Sequence, residues 1–183
     1  MNEIELGMRF ITGGEPELEE VINLYGEKLL RYATSILCNH HDAEEVVAQV
    51  FLSAHRNRGV FNGENLSAWL YKITYNHCMN HLKKRKPLFL SDIETVRDEV
   101  VNPFDEAAVS NEVLAALAKL KAEERALLYG RIMDELSYEE LSKIFKKSPA
   151  SLRKQYERTK KKLAGYLISF ERSQENEHEY EQI

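Results

Sequence analysis

Between residues 149 and 166 several side chains have the chemistry to read a polar, anionic ligand at close range. Arg153 and Arg158 each offer a planar fork of donors that can meet two acceptors on the edge of guanine. Gln155 can pair with adenine in the same bidentate way, Lys154 adds a point charge, and Ser151 stands at the head of the segment. The stretch holds six cations, Arg153, Lys154, Arg158, Lys160, Lys161 and Lys162, against Glu157 alone, a local charge of +5. Such a surface suits phosphate. The preceding residues are built to position it. Ser137 stands three residues before Glu140, the spacing of a capping box that starts a helix. Tyr138, Leu141, Ile144 and Phe145 then share one helical face, and Lys146-Lys147-Ser148 breaks the pattern. Ser148-Pro149 restarts a helix, with serine as cap and proline where its missing N–H costs nothing. Residues 136–163 therefore read as a helix-turn-helix whose second helix is basic.

A second basic segment lies at residues 66–86, where Lys72, Lys83, Lys84, Arg85 and Lys86 meet no acid. Lys72, Asn76 and Lys83 fall on a face separate from the core face of Trp69, Leu70 and Ile73, with Tyr75 at its margin. His77 and His81 are four apart with Cys78 between them, and Cys38, His40 and His41 lie upstream. Neither Cys-x-x-Cys nor His-Glu-x-x-His spacing supports a zinc site, so no metal is expected there. No glycine-rich phosphate loop, nucleophile elbow or acid–base constellation is found either, and the chain is read as non-catalytic and free of cofactors.

The elements that must carry these residues follow from periodicity. Leu18, Val21, Ile22, Tyr25, Leu29, Tyr32, Ile36 and Leu37 recur at helical steps, while the residues before them show no settled pattern. Asp42 with Glu45 offers a cap and a first-turn acid for a second helix, whose stripe is Ala43, Val46, Val47, Val50, Phe51 and Ala54. Gly59 and Gly63 among asparagines predict a turn, and Leu66, Trp69, Leu70, Ile73 and His77 mark a third helix stopped by Pro87. Helical spacing resumes at Val109, Val113, Leu117 and Leu120 and again at Leu127, Leu128 and Ile132. Nothing alternates at period two, so the fold class is all-α, two small helical domains joined by an acidic linker.

Charge is distributed in blocks. The net value is only -5, because residues 91–112 carry seven acids against Arg97 and residues 171–183 five acids against Arg172. The expected organisation is a domain at 1–86, an acidic linker at 87–108, the helix-turn-helix domain at 109–170 and a disordered acidic tail at 171–183. The 183 residues, 43% of them hydrophobic, suffice for such cores. Two cysteines and no secretory or membrane-spanning pattern point to a reducing cytoplasm.

Three segments together resemble the extracytoplasmic-function (ECF) group of bacterial RNA polymerase sigma factors. Residues 42–52, Asp-Ala-Glu-Glu-Val-Val-Ala-Gln-Val-Phe-Leu, look like the helix that docks on the clamp of the polymerase's largest subunit. Residues 69–76, Trp-Leu-Tyr-Lys-Ile-Thr-Tyr-Asn, look like the segment that reads the promoter's -10 element, and residues 136–141 like the start of the helix-turn-helix that binds the -35 element. The resemblance implies polymerase contacts from Asp42, Glu44, Glu45, Gln49, Phe51 and Leu52. For the -10 element it implies Phe61, Asn62, Gly63, Glu64 and Asn65, the loop that would take a flipped base, with Lys72, Tyr75, Asn76 and Lys83 alongside. It places Ser151, Arg153, Lys154, Gln155 and Arg158 at the -35 element. The basic helix departs from the family pattern at residues 150–152, so the promoter sequence is not implied. The implied partners are core RNA polymerase, promoter DNA and an anti-sigma factor, often membrane-bound in this family, with no small-molecule substrate and no membrane insertion. The competing readings are a stand-alone helix-turn-helix regulator, which would dimerise on a palindromic site, and a decoy that binds a sigma factor's partners without initiating transcription.

Overall fold

Val21, Tyr25, Leu29, Tyr32 and Ile36 stand at helical steps along one 23-residue helix, and all are buried. Each such side chain taken out of water contributes about 1.5–3 kcal/mol before entropy is counted. This helix is the spine of the molecule. The computed structural model describes residues 3–84 and 111–180; the proposed linker lies outside them. In chain order the elements are α1 (Glu3–Thr12), α2 (Glu15–Leu37), α3 (His40–Arg56), a 3-10 turn (Arg58–Val60), α4 (Leu66–Lys84), α5 (Asn111–Ala118), α6 (Ala122–Ile132), α7 (Tyr138–Phe145) and α8 (Pro149–Tyr180). The described residues contain no strand, and the fold is all-α.

Local chemistry sets the helix ends. Pro16 lies in the first turn of α2, where the Glu17 carboxylate accepts from the Gly14 N–H at 2.9 Å. The cap of α3 is Asn39 rather than Asp42: the Asn39 side-chain oxygen accepts from the Asp42 N–H at 2.8 Å, so the helix begins three residues earlier than a cap at Asp42 implies. Asn65 does the same for α4, accepting from the Ala68 N–H at 2.7 Å. The Ser137–Glu140 box forms as read, with both the Ser137 N–H and hydroxyl donating to Glu140.

Two segments differ from expectation. An additional helix, α1, precedes the first one read from periodicity, with Leu6 and Phe10 buried and Ile4 and Met8 exposed. The acidic tail, expected to be disordered, continues α8 as helix through Tyr180. Glu, Gln and Arg are good helix formers, no glycine or proline follows Gly165, and extending an existing helix avoids the nucleation cost.

The N-terminal and C-terminal halves share one hydrophobic core. Tyr32 of α2 packs on Tyr71 of α4 and Tyr129 of α6, with ring centroids 4.9 and 6.1 Å apart. Gly130 permits the close approach of α6, since a Cβ there would lie 3.3 Å from both Leu136 and Leu141 and 3.9 Å from Tyr32. Arg125 of α6 crosses the junction to the end of α2, donating to the Ser35 carbonyl at 2.9 Å and also to the Ile36 and Leu120 carbonyls.

Asp134 faces the three tyrosines at this junction. Burial raises its carboxyl from an ordinary 3.8 to about 6, while the Tyr71 hydroxyl, Arg31 and Lys28 pull the other way; the Oδ2 atom has no partner. A raised carboxyl favours the folded state when protonated, so its contribution is complete below pH 4 and is lost as pH rises through about 6. Asp134→Asn is expected to be more stable than the parent by about 1–2 kcal/mol at pH 8, and the two to converge near pH 4. Urea unfolding across that range checks it; parallel curves would contradict the assignment.

Candidate nucleic-acid interface

The basic helix is fixed by its inner face. Leu152 and Thr159 are buried, at 0% and 1% exposure, and the Ser148 hydroxyl accepts from the Ser151 N–H at 3.3 Å at the helix start. Steps of three and four residues then carry Ser151, Lys154 and Arg158 outward together. Gln155 is half-buried, and its side-chain oxygen accepts from Lys147 at 3.0 Å. Arg153 is exposed but stands on the flank, its guanidinium 5.1 Å from the centre of the Tyr138 ring, which Arg131 also approaches at 4.8 Å. Lys160 and Lys162 face Glu157 and Glu124 at 3.2 and 2.9 Å, so the outward charge is smaller than the six cations suggest.

The second candidate region is a cleft of about 400 Å³ at residues 60–72. Asn62, Glu64, Asn65 and Lys72 line it, with Phe61 and Trp69 as its aromatic components. Phe61 is 5% exposed and stacks on Trp69 at 4.9 Å, which makes it a support rather than an outward contact. Gly63 adopts φ +82°, a left-handed conformation that favours glycine. Asn62 and Glu64 are exposed. Lys72 is half-buried, and Asn76 and Lys83 lie further along α4 toward solvent. Tyr75 packs on Phe145 of α7 at 4.7 Å, and burial followed by the nearby Glu123 charge pushes its hydroxyl up to about 12.

The cleft also has walls that the sequence did not reveal. Lys143 of α7 lines it, and the Asn65 side-chain amide donates to Glu140 at 3.0 Å. Burial works to raise the Glu140 carboxyl, but hydrogen bonds from the Ser137 backbone and hydroxyl and from Asn65 hold it below its ordinary value.

With both regions in place, comparison with known proteins is direct. The Sigma-70 region 2 family model matches residues 21–87 and the Sigma-70 region 4 family model residues 110–163. The chain belongs to the sigma-70 family. It is 24% identical over 147 residues to the ECF RNA polymerase sigma factor SigW of Bacillus subtilis, a match covering 72% of this chain and 79% of SigW. That relative and others of the same description place it in the ECF group. Its fold matches CnrH, solved in complex with the cytosolic domain of CnrY, with a TM-score of 0.70 at 17% identity over 91% of this chain and 97% of that one. It also matches the sigma factor RpoE of Bartonella quintana, solved with the anti-sigma factor NepR, with a TM-score of 0.66 at 22% identity over 82% and 96%.

In this sigma factor the expected polymerase face of α3 divides in two. Glu44, Glu45, Gln49 and Leu52 are exposed, Leu52 at 63%, and Gln49 donates to Glu45 at 3.0 Å. Phe51, expected beside them, is 7% exposed and belongs to the core, because it continues the stripe of Val47 and Val50. Asp42 is held 3.4 Å from His81 of α4. The other thiol and imidazole groups are not gathered either. Cys78 is buried, its thiol pushed up to about 12 by burial, and the described residues contain no group of three that could hold a metal ion.

Proposed function

We propose that this sigma factor binds core RNA polymerase through the exposed face of α3, meets the -35 element with the start of α8 and reads the -10 element at the cleft. As a member of the ECF group it is an alternative sigma factor that directs promoter-specific transcription initiation. The observation that carries the residue-level reading is the outward row of Ser151, Lys154 and Arg158 on a capped helix-turn-helix. Arg158 can fork onto guanine and Lys154 onto phosphate or base, while Arg153 joins from the flank once it leaves Tyr138. At the cleft, the amides of Asn62 and Asn65 can meet the edge of an unpaired base, with Lys72, Asn76 and Lys83 following the strand. The domain at 1–86, the linker at 87–108 and the domain at 109–170 are the units that would take these positions.

The chain supplies binding surfaces, and the chemistry of RNA synthesis belongs to the polymerase, so its place of work is the cytoplasm. The solved relatives CnrH and RpoE were each captured with a regulatory partner, CnrY and the anti-sigma factor NepR. An anti-sigma factor is accordingly the proposed regulator here.

Two small basic surfaces offset by acidic segments make few phosphate contacts when the chain is alone. Core polymerase would hold both at promoter spacing and raise the effective concentration of the second contact. The expected result is promoter-dependent RNA from core polymerase plus this chain on a genomic promoter library, none from core alone, and little promoter affinity of the free chain at physiological salt. Absence of any promoter-dependent product would overturn the reading. Tight binding of a free dimer to a palindrome would favour the stand-alone regulator.

A further inference from the structure

Helix α1 precedes both family matches, the first of which begins at residue 21, yet it is built against the cleft. Gly7 is buried with its backbone on the loop: a Cβ at Gly7 would lie 3.2 Å from the Gly63 carbonyl oxygen and 3.2 Å from the Phe61 ring. From the other side, a Cβ at Gly63 would fall 2.4 Å from the Met8 sulfur and 3.4 Å from Ile11. Phe10 completes the support, 1% exposed and edge-on to Trp69 at 6.4 Å, while Trp69 stacks on Phe61. The loop at residues 61–65 is therefore wedged between α1 and α4, with a glycine on each side at the points of closest approach.

We propose that α1 is a positioning element for base recognition, with Gly7 and Met8 setting the height of the 61–65 loop over the cleft. This rests on the reading of that loop as the part that meets the -10 base. Hydrogen bonds to a base edge depend on a few tenths of an ångström and on angle. A side chain at Gly7 lifts the Gly63 carbonyl and the Phe61 ring, and shortening Met8 lets Gly63 settle. Either displacement moves Asn62 and Asn65 relative to the base while the -35 contacts, on α8, are untouched.

The test is transcription by core polymerase carrying the full-length chain. Promoters with each of the four bases at the loop-read -10 position are compared with promoters altered in the -35 element. Gly7→Val, Gly7→Ala and Met8→Ala are expected to narrow the rate ratio between best and worst -10 base by at least about fivefold, about twofold and about twofold respectively. The response to -35 changes stays constant, and Glu5→Ala on the outer face of α1 changes neither. Gly7→Ala separates positioning from simple support: alanine is the better helix former, so support alone predicts unchanged or sharper discrimination. If Gly7→Val does not fold, Gly7→Ala and Met8→Ala decide the matter. Unchanged discrimination in folded α1 variants, where Asn62→Ala does alter it, overturns the role of α1. Unchanged discrimination in Asn62→Ala as well overturns the reading of the loop, and the role of α1 with it.

Discussion

Replacing Leu141 with alanine is expected to destabilise the chain by about 3–5 kcal/mol. Leu141 is 0% exposed at the centre of α7, against the point where Gly130 lets α6 approach. The loss combines the transfer energy of the removed methyl and methylene groups with that of a cavity that cannot collapse, because α7 is pinned at its start by the Ser137–Glu140 box and at its end by a left-handed Lys146, φ 55°. Urea unfolding followed by far-ultraviolet circular dichroism checks it. A midpoint shift worth less than about 1 kcal/mol would show that α7 is not the packing centre of the C-terminal half. Since α8 packs on α7, the -35 contact proposed for α8 should weaken with it.

Arg125→Met is expected to cost about 2–3 kcal/mol and to loosen the junction of the two halves. The last turn of α2 contains no basic residue of its own, and its carbonyls carry the negative end of the helix dipole. Arg125 supplies the missing cation from the other half of the chain, donating to Ser35, Ile36 and Leu120. Methionine keeps most of the apolar volume, so the change isolates the charge-assisted hydrogen bonds. Small-angle scattering should show a larger radius of gyration alongside the lower unfolding midpoint; an unchanged radius and midpoint would exclude a clamping role.

The helices of the two halves were legible because their stripes repeat over many turns, as with Val21, Tyr25, Leu29, Tyr32 and Ile36. Helix α1 was not, because in ten residues its inward side is only Leu6, Gly7, Phe10 and the half-buried Ile11, too short a run to stand out as a repeating stripe. Phe51 and Phe61 looked available on the family's pattern, since type and spacing do not say which side of a curved surface an aromatic ring takes; packing turned both inward. Arg153 looked equivalent to Lys154 until the helix gave each its own direction. The junction was the least legible feature. Its bonds join residues 75 to 90 positions apart, Asn65 to Glu140 and Arg125 to Ser35, and no local pattern encodes a partner at that distance.

The Asn65–Glu140 bond joins two helix caps. Asn65 caps α4 with its oxygen and gives its amide to Glu140, which uses its other oxygen to cap α7. The Asn65 amide carries two N–H donors and gives one to Glu140, so the contact between the two halves fixes the rotation of the amide whose second N–H a nucleobase in the cleft would meet. Any partner that parts the two caps would release that rotation, and with it the angle at which the proposed base contact is made, without touching DNA.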